Sequence, residues 1–486
     1  MIKNKVLSGV TWSAAERIVS FILTTVISII LARLISPEEY GTIALVTVFI
    51  NIFTNVLMNG LGSALVQRKQ VSQEDYSTLY IINVIVGVVA YFVMCYVAPS
   101  IESFYGIQGL CRITRVVSLV IPFAALSSIQ FSYLQKQMKF YKYFIVTFGC
   151  SVISGGIGII GAISGLGIWA LVVYHVSRQA LQTLILLFIS GLKIKMQFSR
   201  SSAKRLLPFG IKTMTTTFIG DLETNIRSLI IGKLFSSADL AYYNMGVNYP
   251  KMIIANISTS LGRVMFPMFS EIQDDPKQFK AAMRRAVKLN LFIVTPILIG
   301  FAGIAKQFFL VFYTEKWLEA VQYMQILSFA YITRPYENIC YYAIMGSGRS
   351  KTIMFDMAIT KAFSLLMIAI AVFYFKSVQM IAWGVLTTTV FAVAIYAYQI
   401  RKYFGYTINE QLSDSIGIFA ICGVMFAILG IIGSVSIDQF IIMLIQIVFG
   451  VLFYVFAAWV LKIDSFQYLL SLVSGFLKRK LKNSTK

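Results

Sequence analysis

The chain has 486 residues, 58% of them apolar and only 13% charged, against about 45–50% and about 25% in soluble domains. That excludes a soluble globule, which would have no polar skin, as well as low-complexity and collagen-like chains, and leaves an all-α polytopic membrane protein. The formal net charge of +22, from 42 Lys+Arg against 20 Asp+Glu, would suggest nucleic acid for a soluble protein. In a membrane protein it reads first as the positive-inside bias, and no nucleic-acid partner is expected.

In chain order, the hydropathy pattern predicts about 14 transmembrane helices. They run over approximately 10–32, 41–62, 77–98, 113–134, 143–163, 167–189, 208–232, 241–268, 287–311, 318–345, 353–375, 377–400, 414–434 and 439–461. Those at 208–232 and 318–345 carry several charges and are the weakest. The first apolar run is too long for a signal-peptide core and has no A-x-A-like site, so it reads as a span. Cys111 alone of the five cysteines falls in a predicted outer loop, so no disulfide framework is implied.

With the N-terminus inside, inner segments and the tail carry about 27 Lys/Arg and outer segments about 6, which predicts both termini cytoplasmic and an even helix count. By this sorting Lys136, Lys139 and Lys142 only orient the chain. The tail from Asp464, with Phe466, Leu469, Leu470, Val473 and Leu477 ahead of a basic end, is expected along the inner leaflet.

An internal repeat is visible at an offset of 200 residues. Ala32-Arg33-Leu34-Ile35-Ser36 is matched by Gly232-Lys233-Leu234-Phe235-Ser236, Tyr40-Gly41 by Leu240-Ala241, and Leu61-Gly62 by Leu261-Gly262. Six predicted helices separate the copies, an even number, so the halves run parallel about a pseudo-two-fold axis. The expected organisation is a six-helix lobe over 1–200, a second over 201–405, and two additional helices with a basic amphipathic tail over 406–486, the lobes flanking a central cavity.

About nine cations remain within or beside spans, against five acids. Each such charge costs about 2.5–3.5 kcal/mol at a helix centre on insertion scales, so it is expected to face an interior, a partner or water. Arg17, Arg178, Arg227, Lys251, Arg334 and Lys361 are the candidate substrate-binding cations. Arg227 with Glu223 and Arg334 with Glu337 could equally be local ion pairs, whereas Arg178, Lys251 and Lys361 have no acid within four residues. Asp221, Glu223, Glu337 and Asp356 read either as salt-bridge partners or as sites for a coupling Na⁺ or H⁺. Asn51, Asn55 and Asn59 form one polar stripe, either interhelical glue or cavity lining. The lone His175 reads as a packed residue. Gly149, Gly156, Gly161 and Gly165 read as close-packing positions, and Pro122, Pro250, Pro296 and Pro335 as kinks. Gly346-Ser347-Gly348-Arg349-Ser350-Lys351 lacks the phosphate-loop pattern, and no metal or hydrolase motif is present; no bound cofactor and no enzymatic activity are expected.

Several segments resemble bacterial polysaccharide exporters. They are Leu31-Ala32-Arg33-Leu34-Ile35-Ser36-Pro37-Glu38-Glu39-Tyr40-Gly41, Leu134 to Phe140 (LQKQMKF), Gly165 to Leu171 (GLGIWAL), Pro208-Phe209-Gly210, Ile231 to Leu234 (IGKL), Phe266 to Ser270 (FPMFS), and Gly346 to Arg349 (GSGR). In this order and spacing the chain is similar to the lipopolysaccharide/teichuronic-acid exporter branch of oligosaccharide flippases, in the multidrug/oligosaccharidyl-lipid/polysaccharide exporter superfamily. The resemblance implies alternating access through a cationic cavity and flipping of undecaprenyl-pyrophosphate-linked oligosaccharide across the bacterial inner membrane. Membrane lipid and polysaccharide polymerase machinery are the other expected partners. The resemblance transfers no individual binding residue. A drug/cation antiporter of the same fold would want acids in the cavity, and a membrane polymerase or ligase would want a large outer loop.

Overall fold

The structure, a computed structural model, describes residues 2–195 and 197–471, with the side chains of residues 2–11, 13, 14, 223 and 256–263 left out. Regular structure among the described residues is helical throughout. The chain divides into two compact units, Met1–Ala241 and Tyr242–Lys486.

The first unit contains α1 (Ile2–Leu34), α2 (Pro37–Asn59), α3 (Leu61–Gln67), α4 (Gln73–Tyr105), α5 (Leu110–Val117), α6 (Val120–Lys136), α7 (Phe140–Ile163), α8 (Ile168–Ile189) and α9 (Arg200–Leu234). Its last residues open α10 (Ser237–Glu271), which continues into the second unit. There follow α11 (Pro276–Gly303), α12 (Ala305–Phe308), α13 (Glu319–Tyr331), α14 (Arg334–Gly346), α15 (Ser350–Ile370), α16 (Val378–Phe404), α17 (Ile408–Ile432) and α18 (Gln439–Val460).

Eleven helical segments among the described residues are long and apolar enough to span a bilayer, rather than the fourteen expected. The other three expected spans are helical but differ in kind. The first, α9, carries Lys212, Asp221 and Arg227. The second, α10, carries Lys251 and two prolines. The tenth expected span is two thirteen-residue helices, α13 and α14, because Pro335 in the first turn of α14 has no N–H to continue the ladder. Pro122 likewise stands in the first turn of α6, after the break that ends α5.

The contact boundary at 241 does not coincide with the sequence boundary at 200, because α9 packs on α2 and α3. Nor do the last two helices sit apart from the second unit: Ile418, Cys422, Met425 and Leu429 of α17 share one core with Met283, Val287 and Leu291 of α11. Residues 464–471 are helical, and Phe466 and Leu469 pack against the same core; Val473, Leu477 and the basic end lie outside the described residues.

The repeat has a structural counterpart at its offset of 200. Ser36 Oγ accepts the Glu39 N–H (3.3 Å) while the Glu39 carboxylate accepts the Ser36 N–H (3.2 Å), a capping box opening α2. Ser236 and Asp239 make the same reciprocal pair before α10, at 3.0 and 3.1 Å.

The segments shared with polysaccharide exporters meet one another. The other carboxylate oxygen of Glu39 accepts the Ile168 N–H at the start of α8 (2.9 Å) and lies 2.5 Å from where a Cβ on Gly167 would stand. In the second unit a Cβ on Gly346 would stand 2.8 Å from Phe269 Cβ, and Arg349 lies over the Tyr403 ring at 4.5 Å. The GSGR segment is therefore a helix end packed against the FPMFS segment. Close packing in α7 is made by Gly155 against Ile27, Gly158 against Tyr174 and the expected Gly161 against Leu166 and Ala170, whereas at the expected Gly156 a Cβ would meet open space.

Glu39→Ala should lower stability by about 1–3 kcal/mol, since it removes a helix cap and leaves the Ile168 N–H without its acceptor. Thermal unfolding in detergent measures this, and Glu38→Ala on the same turn should change little.

Candidate functional site

Several of the charged residues within the spans fall into two groups, one in each unit. In the first unit, Glu16 and Arg17 of α1 and Asn59 of α2 line a cavity of about 370 Å³ together with residues of α6 and α7. Ser20 Oγ donates to Glu16 Oε1 at 3.1 Å. The Tyr143 hydroxyl also faces this region, and Glu16, Arg17 and Arg178 all lie within electrostatic reach of it. Arg178 Nη1 donates to the Tyr174 hydroxyl at 3.3 Å, which aims the guanidinium along α8 toward α7. Helices α1, α7 and α8 thus bring two cations chosen from the sequence to one tyrosine that was not.

The asparagine stripe is not uniform. Asn51 and Asn59 are exposed on the first unit and Asn55 is half-buried; only Asn59 lines the cavity. On α9, Asp221 is half-buried with Oδ2 lacking a hydrogen bond, and Arg227 is half-buried two turns on. The Glu223 side chain lies outside the described residues.

In the second unit, Arg334 Nη1 donates to Glu337 Oε2 (2.8 Å) and Thr333 Oγ1 donates to Glu337 Oε1 (2.8 Å). The local ion pair is formed, with Glu337 nearly buried. Asp356 of α15 is 2% exposed; Gln399 Nε2 donates to its Oδ1 at 2.9 Å, while its Oδ2 and the Gln399 carbonyl oxygen are buried without hydrogen-bond partners. Tyr396 of α16 lies within electrostatic reach of Arg334, Glu337 and Asp356 together. In each unit some of the intramembrane charges thus gather about one tyrosine. Lys251 and Lys361 are exposed on α10 and α15.

The second unit holds a separate ion-pair ladder between α11 and α17. Lys280, Arg284 and Lys288 recur every four residues on α11 and meet Glu410 and Asp414 of α17 and Asp464. Among the described residues no cluster of His, Cys, Asp and Glu is suited to a metal ion.

The fold defines a multi-pass helical membrane protein of the kind seen in flippases and multidrug transporters. The chain aligns with the inward closed lipid II flippase MurJ at a TM-score of 0.71 and 17% identity, over 94% of this chain and 99% of that one. It aligns with an inward-facing MATE multidrug transporter at 0.60 and 14%, over 79% and 94%. Residues 30–322 match the polysaccharide biosynthesis protein family, and the chain belongs to it. Curated relatives are a membrane protein of the cps region of Klebsiella pneumoniae (25% identical; 78% of this chain, 77% of that protein), the lipopolysaccharide biosynthesis protein WzxC of Escherichia coli (25%; 72% and 71%) and the teichuronic acid biosynthesis protein TuaB of Bacillus subtilis (24%; 72% and 73%).

Proposed function

We propose that the protein is a flippase that carries undecaprenyl-pyrophosphate-linked oligosaccharide repeat units across the bacterial inner membrane by alternating access, with both termini cytoplasmic. The observation that carries this reading is the gathering of Arg17 and Arg178 about Tyr143 in a chain of the polysaccharide biosynthesis family. A pyrophosphate leaving water loses hydration worth far more than any single contact returns, so fixed cations must replace that hydration. Guanidinium groups suit phosphate oxygens because they donate in parallel pairs. Asp356 is the coupling site for Na⁺ or H⁺: a nearly buried carboxylate with one oxygen uncommitted is satisfied by a cation or a proton, and its occupancy biases which way the transporter faces.

The test replaces the chromosomal gene by the double variant Arg17→Ala/Arg178→Ala and measures lipid-linked repeat units at the inner leaflet and glycan at the surface. Each lost charge-assisted contact weakens binding by roughly 10-fold or more, so surface glycan should fall and lipid-linked units accumulate inside. Unchanged glycan in that strain sinks the reading, and retained drug export with unchanged glycan would instead favour a drug/cation antiporter. In the same assay Asp356→Asn should remove the dependence of transport on the Na⁺ or proton gradient.

A further inference from the structure

The turn between α6 and α7 carries three lysines whose fates differ. Lys136 Nζ donates to the Leu65 carbonyl at 2.8 Å and to that of Arg68, closing the end of α3. Lys142 Nζ donates to the Ile189 carbonyl at 2.7 Å, closing the end of α8. Both are cations at helix C-termini, where orphan carbonyls and the helix dipole favour them. Lys139 does neither. Its ammonium has no hydrogen-bond or ion-pair partner among the described residues, and it lines the cavity that Arg17 also lines.

The backbone explains this placement. Met138 is left-handed at φ 56, and the Met138 and Lys139 N–H groups donate to the carbonyls of Gln135 and Leu134, both at 3.0 Å. The chain reverses within two residues, so Lys139 returns to the cavity side just before α7 begins. A non-glycine residue in that region is strained, and the strain is retained where it aims a side chain. Among the described lining residues Glu16 is the only acid against Arg17 and Lys139, which gives that lining a net positive charge. Asn59, Gln135 and Tyr143 add hydrogen-bonding groups to the lining.

We propose that Lys139, which lines this cavity with Arg17, is a specificity-determining residue that binds a phosphate-type headgroup and selects pyrophosphate-bearing lipids over neutral ones. The inference rests on the flippase reading and assigns to that substrate a subsite at the α6–α7 turn. Lysine suits it as a compact point charge on a flexible stem, able to follow a headgroup that changes position during transport.

The experiment titrates the purified full-length protein with farnesyl pyrophosphate, inorganic pyrophosphate and farnesol. The wild-type protein should bind farnesyl pyrophosphate and not farnesol. Lys139→Met should weaken farnesyl pyrophosphate binding by about 10-fold or more, with an unchanged thermal midpoint in the absence of ligand, and Lys139→Arg should restore most of it. Lys142→Met, outside the cavity, should bind as the wild type does. Inorganic pyrophosphate that binds as tightly as the prenylated probe, and is weakened equally by Lys139→Met, supports the subsite and places the recognition in the headgroup alone. Wild-type affinity in Lys139→Met overturns the role of Lys139 and leaves the flippase reading standing. No wild-type binding of farnesyl pyrophosphate, or equal binding of farnesol, overturns both.

Discussion

Gly41→Val is expected to prevent native packing of the first unit. A Cβ at Gly41 would stand 1.6 Å from the Ser237 carbonyl oxygen and 2.4 Å from its carbon, so it meets backbone rather than the movable end of a side chain. Relief requires shifting either the start of α2 or the first turn of α10, and both are held by their capping boxes. Overpacking in well-filled interiors costs about 1–3 kcal/mol, and with no flexible atom to yield the cost here should reach or exceed the upper value. The measurement is thermal unfolding and yield of folded protein in detergent, with surface glycan as the cellular readout. Gly156→Val is the control, because a Cβ there meets nothing within 4 Å. The same contact explains why the repeat is broken at this position. Residue 41 is glycine and its counterpart 241 alanine because the first copy must admit the carbonyl of the second.

Asp414→Ala is expected to be the most destabilising charge removal in the α11–α17 ion-pair ladder of the second unit. Asp414 is almost completely buried and accepts four contacts: Arg284 Nε at 2.7 Å, Arg284 Nη2 at 2.8 Å, Lys288 Nζ at 3.0 Å and the Tyr406 hydroxyl at 2.7 Å. Truncation leaves two cations of α11 facing each other with their shared acid gone. Breaking a buried pair by deleting one partner costs about 3–5 kcal/mol; with Arg284 about one-third exposed, the lower end applies. Asp464→Ala removes a single contact from a largely exposed carboxylate and should cost less than about 1 kcal/mol. Thermal midpoints in detergent at low and high salt separate the two: the Asp464 effect should vanish with screening and the Asp414 effect should persist. Equal midpoints for the two variants would mean that the ladder does not hold α17 to α11.

The class of protein was legible because its signals are local. Apolar runs and the loop charges that follow them need only neighbouring residues to act. The tenth expected span shows where local reading fails: hydropathy averaged over 318–345 spans the Pro335 break, so one helix was read where two stand. The glycines of α7 show a second limit. Gly156 and Gly155 are equivalent in composition, and only the rotation of α7 against α1 and α8 decides which one meets a neighbour.

The charges divide in the same way. Arg334 with Glu337 was legible because residues three apart on a helix touch wherever the helix goes. The approach of Arg17 and Arg178 to Tyr143, and of Asp356 to Gln399, was not, because each pair stands on different helices. Lys139 was sorted with its neighbours as an orienting charge, since distance along the chain cannot tell a lysine that caps a helix from one that lines a cavity. By itself the sequence determined that this is an all-helical, multi-pass membrane protein with a repeated half and a surplus of cations within its spans. The tertiary structure alone decided which of those cations come together, because the rotation and register of packed helices follow from side-chain interlocking over the whole unit, which no local pattern encodes.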